Sequence, residues 1–146
     1  MRKVAGPALL ALAIGLAACG GGGTDASTRD AHKTVHRYFA ALAGGDAQGA
    51  CAQMTLHSQE QLGEFGDALR LKSRSCAATL GALLKSPAAE RLRTLRNAPV
   101  TKTSHHGSRI TVRVDGVDRP IDLVHDAVGW RISSSPMVEA DKLPGG

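Results

Sequence analysis

The sequence predicts an α+β protein in which N-terminal helices pack on a curved antiparallel β-meander. Two periodicities predict this fold class. Up to Pro99, apolar residues recur every three or four residues, as on one face of a helix, and after Pro99 they alternate with polar residues, as in half-buried strands. A third observation, a leader that ends in a cysteine, indicates where the domain is expected to work.

The leader combines a positive start, an apolar stretch and a cysteine. Arg2 and Lys3 precede an apolar run over residues 4–16. A run of about thirteen residues is too short to cross a ~30 Å hydrocarbon core as a helix, which argues against a transmembrane anchor. The following Leu16-Ala17-Ala18-Cys19 resembles the bacterial lipobox, in which the cysteine is acylated and becomes the mature N-terminus.

The lipobox resemblance implies that residues 1–18 are a lipoprotein signal peptide and that Cys19 is lipidated. A diacylglyceryl group supplies two acyl chains, and two chains anchor a protein stably whereas one does not. Residues 19–27, which are rich in glycine, are then expected to form a flexible tether. The protein is therefore expected outside the cytoplasm, held to a bacterial membrane; the sequence does not distinguish an inner, an outer or a single membrane.

Length and net charge limit the number of domains and the classes of function that the sequence allows. Removal of residues 1–18 from the 146 leaves 128, which suits one domain. The net charge falls from +5 to +3 when Arg2 and Lys3 leave with the leader, and this excess is too small for a nucleic-acid interface. A solvated basic surface explains it, with weak attraction to anionic lipid or wall polymer as the alternative. We expect no nucleic acid partner and no cofactor; the oligomeric state is not indicated.

Two cysteines remain for the domain once Cys19 is acylated. Cys51 and Cys76 form an even pair, and free thiols are unusual in an oxidising compartment. We therefore expect a disulfide between them. Metal-binding or nucleophilic roles for these cysteines are poorly supported by the sequence.

The first helix is predicted to begin at Ser27 or Thr28, because either side chain can cap a first turn. Gly44 and Gly45 end this helix and Asp46 caps a short second one, so this segment is a tight helix–helix corner. Positions i, i+3, i+4 and i+7 of the first helix form its apolar face, which comprises Val35, Tyr38, Phe39 and Leu42.

Three further short helices are predicted before the strands. The first of them contains Gly63 and Gly66, which are expected to weaken it. The last has a proline in its first turn, a position that proline favours. Their predicted first residues are Ser58, then Ser73 or Ser75, and then Pro87.

The strands are predicted to form a meander. A weak strand over residues 100–104 leads to a turn at His106-Gly107, and Asp115-Gly116 is a strong hairpin signal. Pairing across the last turn sets Leu123 opposite Ile132 and His125 opposite Trp130. Asp122 is predicted to lie on the outward face, flanked by Arg113 and Arg131. The predicted inward residues are Ile110, Val112, Val114, Ile121, Leu123, Trp130 and Ile132.

Two stretches resemble small secreted members of the nuclear transport factor 2-like superfamily, to which many bacterial lipoproteins belong. The first is Tyr38-Phe39-Ala40-Ala41-Leu42 with Gly45-Asp46, then Ala50-Cys51 before Met54-Thr55, and the second is Leu123-Val124-His125 with Gly129-Trp130-Arg131-Ile132. The resemblance implies a cone-shaped domain over residues 28–135 and leaves residues 136–146 as a flexible tail. It also implies a pocket between helices and sheet, with candidate lining residues Tyr38, Leu123, His125 and Trp130.

His125 is the candidate for chemistry within that pocket. Ketosteroid isomerase-like and polyketide cyclase-like members of the superfamily use an Asp or His in such a place as general base. A general base needs a partner that fixes its orientation and pKa, and no inward carboxylate is predicted here. A histidine stacked on Trp130 is therefore the simpler interpretation.

The other histidines form weak candidates for a metal site. His32 and His36 are four residues apart on a helix but lack the glutamate of the zinc-protease motif. His105 and His106 are neighbours on a strand and so face opposite ways. We predict no metal site.

Two functions compete on this sequence. The first is a non-enzymatic envelope lipoprotein that binds a small apolar ligand or a partner protein. The second is a membrane-tethered isomerase or cyclase of the ketosteroid isomerase-like group, which would use His125 and Tyr38. The aliphatic inward face favours the first, whereas a polar cavity with an inward acid–base pair would favour the second.

Overall fold

The computed structural model describes residues 22–134, and its architecture is α+β. Helices come first and an antiparallel sheet follows, which confirms the predicted fold class at this level. The helices are α1 (Gly22–Ala43), α2 (Ala47–Cys51), α3 (Leu56–Ala68), α4 (Cys76–Leu83) and α5 (Ala88–Thr94), with a 3₁₀ turn at Leu95–Asn97. The strands are β1 (Val100–His106), β2 (Arg109–Val114), β3 (Ile121–His125) and β4 (Trp130–Ile132).

Helix α1 begins at Gly22, earlier than the predicted cap at Ser27 or Thr28. Residues 22–27 of the predicted tether therefore lie in the helix. Within the described residues, α1 contacts the sheet at Thr28, whose hydroxyl lies 3.0 Å from Nε2 of His105 on β1. The signal peptide, Cys19 and the tail at 136–146 lie outside the described residues.

The corner after α1 forms as predicted. The apolar face of α1 is buried along its length, and the chain then turns at Gly45, whose φ of +77° favours glycine. Asp46 caps α2 by accepting a hydrogen bond of 2.8 Å from the Gly49 backbone N–H. Thr55 caps α3 through the Ser58 N–H, so α3 begins slightly before the predicted Ser58.

The two glycines of α3 allow close packing against the segment that leads into α4. A Cβ atom at Gly63 would lie 2.3 Å from the Arg74 carbonyl oxygen, and one at Gly66 would lie 2.6 Å from the Thr79 hydroxyl oxygen. Both glycines are buried. Glycine lowers helix propensity at both positions, but only glycine leaves room for α3 to lie this close to the segment that leads into α4.

Substitution of Gly63 with alanine is expected to destabilise the protein by about 1–3 kcal/mol, because the backbone of Arg74 would have to move. Gly81 in α4 is the matched control, since a Cβ there would meet only Ala47, at 4.0 Å. Gly81→Ala should stabilise by about 0.5–1 kcal/mol through helix propensity. Urea unfolding of both variants checks this, and equal effects of the two substitutions would contradict the packing.

A disulfide joins α2 to α4 and confirms the predicted pair. Cys51 and Cys76 have Cα atoms 6.1 Å apart, and both are buried. Sγ of Cys76 also lies 4.0 Å from Sδ of Met54. Met54 forms an isolated bridge with Ile132 of β4, so the disulfide lies beside the place where the helices meet the sheet.

The sheet is an antiparallel meander in the order β1-β2-β3-β4. Strand β1 continues to His106 rather than ending at 104, and the chain reverses at Gly107, where φ is +62°. The predicted pairing across the last turn is confirmed, with Leu123 opposite Ile132 and His125 opposite Trp130. The period-two pattern and the turn residues together determine this register.

The inward face of the sheet packs against α1. The inward side chains of β2, β3 and β4 and the apolar face of α1 belong to a single core cluster. Thr34 of α1 also donates a hydrogen bond of 3.1 Å to the Trp130 carbonyl. The inward side of the sheet is thus covered by a helix within the described part of the chain.

Candidate functional site

The four residues predicted to line a pocket occupy different environments. Tyr38 on α1 and Leu123 on β3 are completely buried, and Trp130 on β4 is 8% exposed. His125, at the end of β3, is exposed. The structure therefore places three of the four in the core and leaves His125 at its edge.

His125 contacts Trp130 rather than a carboxylate. The two ring centroids lie 5.2 Å apart with the planes at 83°, an edge-to-face arrangement. The neighbouring Asp126 uses Oδ1 to accept hydrogen bonds from the backbone N–H groups of Val128 and Gly129. These bonds, that of Val128 first, lower the pKa of Asp126 and commit its carboxylate to the turn. Within residues 22–134 no carboxylate forms a hydrogen bond or ion pair with His125.

Tyr38 carries a buried hydroxyl that has no hydrogen-bond partner in the described residues. Its ring packs edge-on against Phe39 at 5.3 Å between centroids. Burial raises the pKa of Tyr38 far above its usual range, because the phenolate would lose its hydration. This phenol can therefore act neither as a base nor as a proton donor to a molecule in solvent while the core stays closed.

Substitution of Tyr38 with phenylalanine is expected to raise the free energy of unfolding by about 1 kcal/mol, because it removes an unsatisfied buried hydroxyl. Thr34→Val is the matched control, since the Thr34 hydroxyl does have a partner, the Trp130 carbonyl. Thr34→Val should lower the free energy of unfolding by about 1 kcal/mol. Thermal unfolding compares the two variants, and a clear loss of stability in Tyr38→Phe would contradict this account of the core.

His32 and His105 join α1 to the edge strand β1. Nε2 of His32 lies 2.8 Å from the Thr103 hydroxyl, and partial burial, followed by the nearby His36, lowers the pKa of His32. His105 makes the corresponding contact with Thr28. In the described part of the chain, no three His, Cys, Asp or Glu side chains come together as a metal site would require.

A second surface, which the sequence prediction missed, lies on the outward side of the sheet. A hollow of about 190 Å³ is lined by Lys102, Ser104, His106, Thr111, Arg113 and Pro120. Five of these residues lie on β1 and β2, where they alternate with inward-facing residues. The alternation in β2 indicates the outward residues of that strand, but the register shift between Val100 and Lys102 conceals which β1 residues lie beside them.

The predicted surroundings of Asp122 need correction. Asp122 does lie on the outward face, but its Oδ1 accepts a hydrogen bond of 2.6 Å from Thr111 and its Oδ2 lies 3.5 Å from Arg109. Arg131 lies 4.0 Å from Asp126. The register explains the change, because Thr111 is directly opposite Asp122 and Arg109 is on the adjacent diagonal.

No helix within residues 22–134 has both the length and the apolar character that crossing a bilayer requires. Comparison of the chain with protein-family models, with curated proteins and with solved structures gave no significant match. The residues and their geometry are therefore the basis for the functional conclusion.

Proposed function

We propose that this chain is an extracytoplasmic lipoprotein with a nuclear transport factor 2-like domain, tethered to a bacterial membrane through Cys19, that binds an envelope partner protein and catalyses no reaction. One observation carries the non-enzymatic part of the proposal. His125, the candidate base, packs on Trp130 at the edge of the core, and within residues 22–134 no hydrogen bond or ion pair joins it to a carboxylate; its neighbour Asp126, whose pKa it helps to lower, is bonded to the turn.

The proposed tether is supported by the leader. Positive residues, a short apolar run, two alanines and Cys19 follow one another in the order that a lipoprotein signal requires. The order of elements in the domain, helices and then an antiparallel meander, supports the nuclear transport factor 2-like assignment.

A partner protein fits the structure better than a small apolar ligand does. Phe39 and Leu42 of α1 and Leu123 of the sheet are at most 2% exposed. A ligand on the concave face would have to displace this packing, at about 25 cal/mol for each Å² of apolar surface that loses its cover. A protein that binds the outside of the domain needs no such rearrangement.

The enzymatic alternative, an isomerase or cyclase that uses His125 and Tyr38, would need the core to open. Tyr38 is completely buried and His125 is exposed, so a substrate that reached the imidazole from solvent would meet the phenol only if the core opened. No geometric observation in the described residues favours this alternative.

The proposal is tested by detergent phase separation of cells that express the full chain. The wild-type protein is expected in the detergent phase, and Cys19→Ala should lose lipidation and leave that phase. Gly20→Ala, which retains the lipobox, is the matched control and should behave as wild type. Partition of Cys19→Ala identical to that of the wild type would overturn the tether.

A further inference from the structure

Three side-chain pairs point outward from β1 and β2. Their strand neighbours, such as Val112, point inward and are buried. Directly opposite residues in an antiparallel pair have Cβ atoms about 4.5–5.5 Å apart, so both side chains of a pair can contact the same ligand. The pairs are Lys102 with Arg113, Ser104 with Thr111, and His106 with Arg109.

Lys102 and Arg113 form a like-charged pair without a counterion. Neither side chain makes a hydrogen bond or ion pair within residues 22–134, and both are exposed. Like charges placed directly opposite each other destabilise a sheet. An anion between these two side chains would remove that repulsion, and this is the main reason to expect one.

The hollow beside this pair has the size and the donors for an oxyanion. Its volume of about 190 Å³ exceeds the roughly 150 Å³ of an engineered cavity that holds benzene. Lys102 and Arg113 line it together with Ser104 and His106, and each of these four side chains carries a group that can donate a hydrogen bond. Arginine and lysine donors together are the usual protein ligands of phosphate groups.

Asp122, which contacts the hollow residue Thr111, is already neutralised. Asp122 accepts the hydrogen bond from Thr111 and pairs with Arg109, both on β2. Its charge is therefore offset by Arg109, which leaves Lys102 and Arg113 as the uncompensated charges of the face. The surface between them is complementary to a negative ligand.

The position of this face relative to the N-terminal chain indicates the source of the anion. Thr28 on α1 lies 3.0 Å from the inward-facing His105, and the hollow residue His106 follows it on the outward face at the same end of β1. Cys19 precedes Thr28 by nine positions, and residues 22–28 are helical, so the two residues lie at most about 20 Å apart. If Cys19 is anchored as proposed above, the β1–β2 hairpin stays within that reach of the lipid headgroups.

We propose that the outward face of β1 and β2 binds the phosphate groups of anionic phospholipid headgroups, with Lys102 and Arg113 as the principal contacts. The choice of lipid headgroups as the source of the phosphate rests on the proposed tether, whereas the charge pair and the hollow are independent of it. Binding at this face would orient the domain on the membrane and leave the helical side free for a partner.

The test is co-sedimentation of the full, unlipidated chain with vesicles of phosphatidylcholine alone or with phosphatidylglycerol at a ratio of about 7:3, at low salt. Lys102→Gln/Arg113→Gln is compared with Lys72→Gln/Lys85→Gln, which removes the same charge from exposed loops on the helical side. A basic residue at an anionic surface contributes about fivefold to binding, so the first double variant should bind the anionic vesicles about 30-fold more weakly. Lys72→Gln/Lys85→Gln should weaken binding to these vesicles far less.

Two other results of this experiment would contradict the proposal. Equal losses in the two double variants would show a diffuse charge effect and would overturn the site. Stabilisation by inorganic phosphate that depends on Lys102 and Arg113, without binding to vesicles, would overturn the lipid source. Because the chain in this assay carries no acyl groups, its outcome does not depend on whether Cys19 is lipidated in cells.

Discussion

Replacement of both Cys51 and Cys76 with alanine is expected to lower the free energy of unfolding by about 3.5 kcal/mol. The bridge spans a separation of 25 residues, and the loop-closure entropy of a chain of that length gives this figure. It also holds α2, a helix of five residues that is too short to persist alone. Urea unfolding measured by the fluorescence of Trp130, the single tryptophan, reports the change.

Reductant provides the control for the disulfide prediction. The reduced wild type should unfold at the same urea concentration as the double variant, and the variant should not respond to reductant. Thiol titration of the denatured, unreduced protein from its native compartment should find neither Cys51 nor Cys76 free. Two reactive thiols in that sample would refute the bridge in the cell.

Substitution of Trp130 with alanine is expected to cost about 3–5 kcal/mol, the range for loss of a large buried aromatic side chain. Trp130 is 8% exposed and lies at the end of β4, where α1 and β3 both contact it. The cavity would lie between the helix and the sheet, so both layers would lose packing. Thermal unfolding followed by circular dichroism measures the loss without relying on tryptophan fluorescence.

His125→Ala is the matched comparison for Trp130→Ala. The imidazole is exposed and contributes one edge-to-face contact, so its removal should cost about 1 kcal/mol or less. We also expect no turnover by the wild-type domain of ketosteroid or polyketide-like substrates. Turnover that disappears in His125→Ala, with the fold intact, would restore the enzymatic alternative.

The strands were the most predictable part of this chain. Apolar and polar residues alternate through β2 and over Ile121 to Leu123 of β3, and Asp115-Gly116 provides a hairpin turn. The side that each residue faces and the register of the two strands follow from this period of two. The pairing of His125 with Trp130 was predictable for the same reason. The helix caps at Asp46 and Ser75 could also be identified from residue type, because each side chain accepts a hydrogen bond in the first turn.

Features that depend on tertiary contacts were not predictable in this way. Gly63 has the sequence signature of a weak helix, and only the approach of the Arg74 carbonyl reveals why glycine is needed. The contact of Thr28 with His105 joins residues 77 positions apart, so no local pattern predicts it. The pairing of Lys102 with Arg113 requires the β1–β2 register, which includes an irregularity between Val100 and Lys102 that the sequence pattern does not reveal.

The central claim, a domain tethered through Cys19, is tested most directly by intact mass spectrometry of the protein extracted from membranes. The proposal predicts a chain that begins at Cys19 and carries at least a diacylglyceryl group, with residues 1–18 removed. Fragmentation should locate the added mass on the N-terminal cysteine. A chain that retains the leader and has an unmodified Cys19 would contradict the proposal.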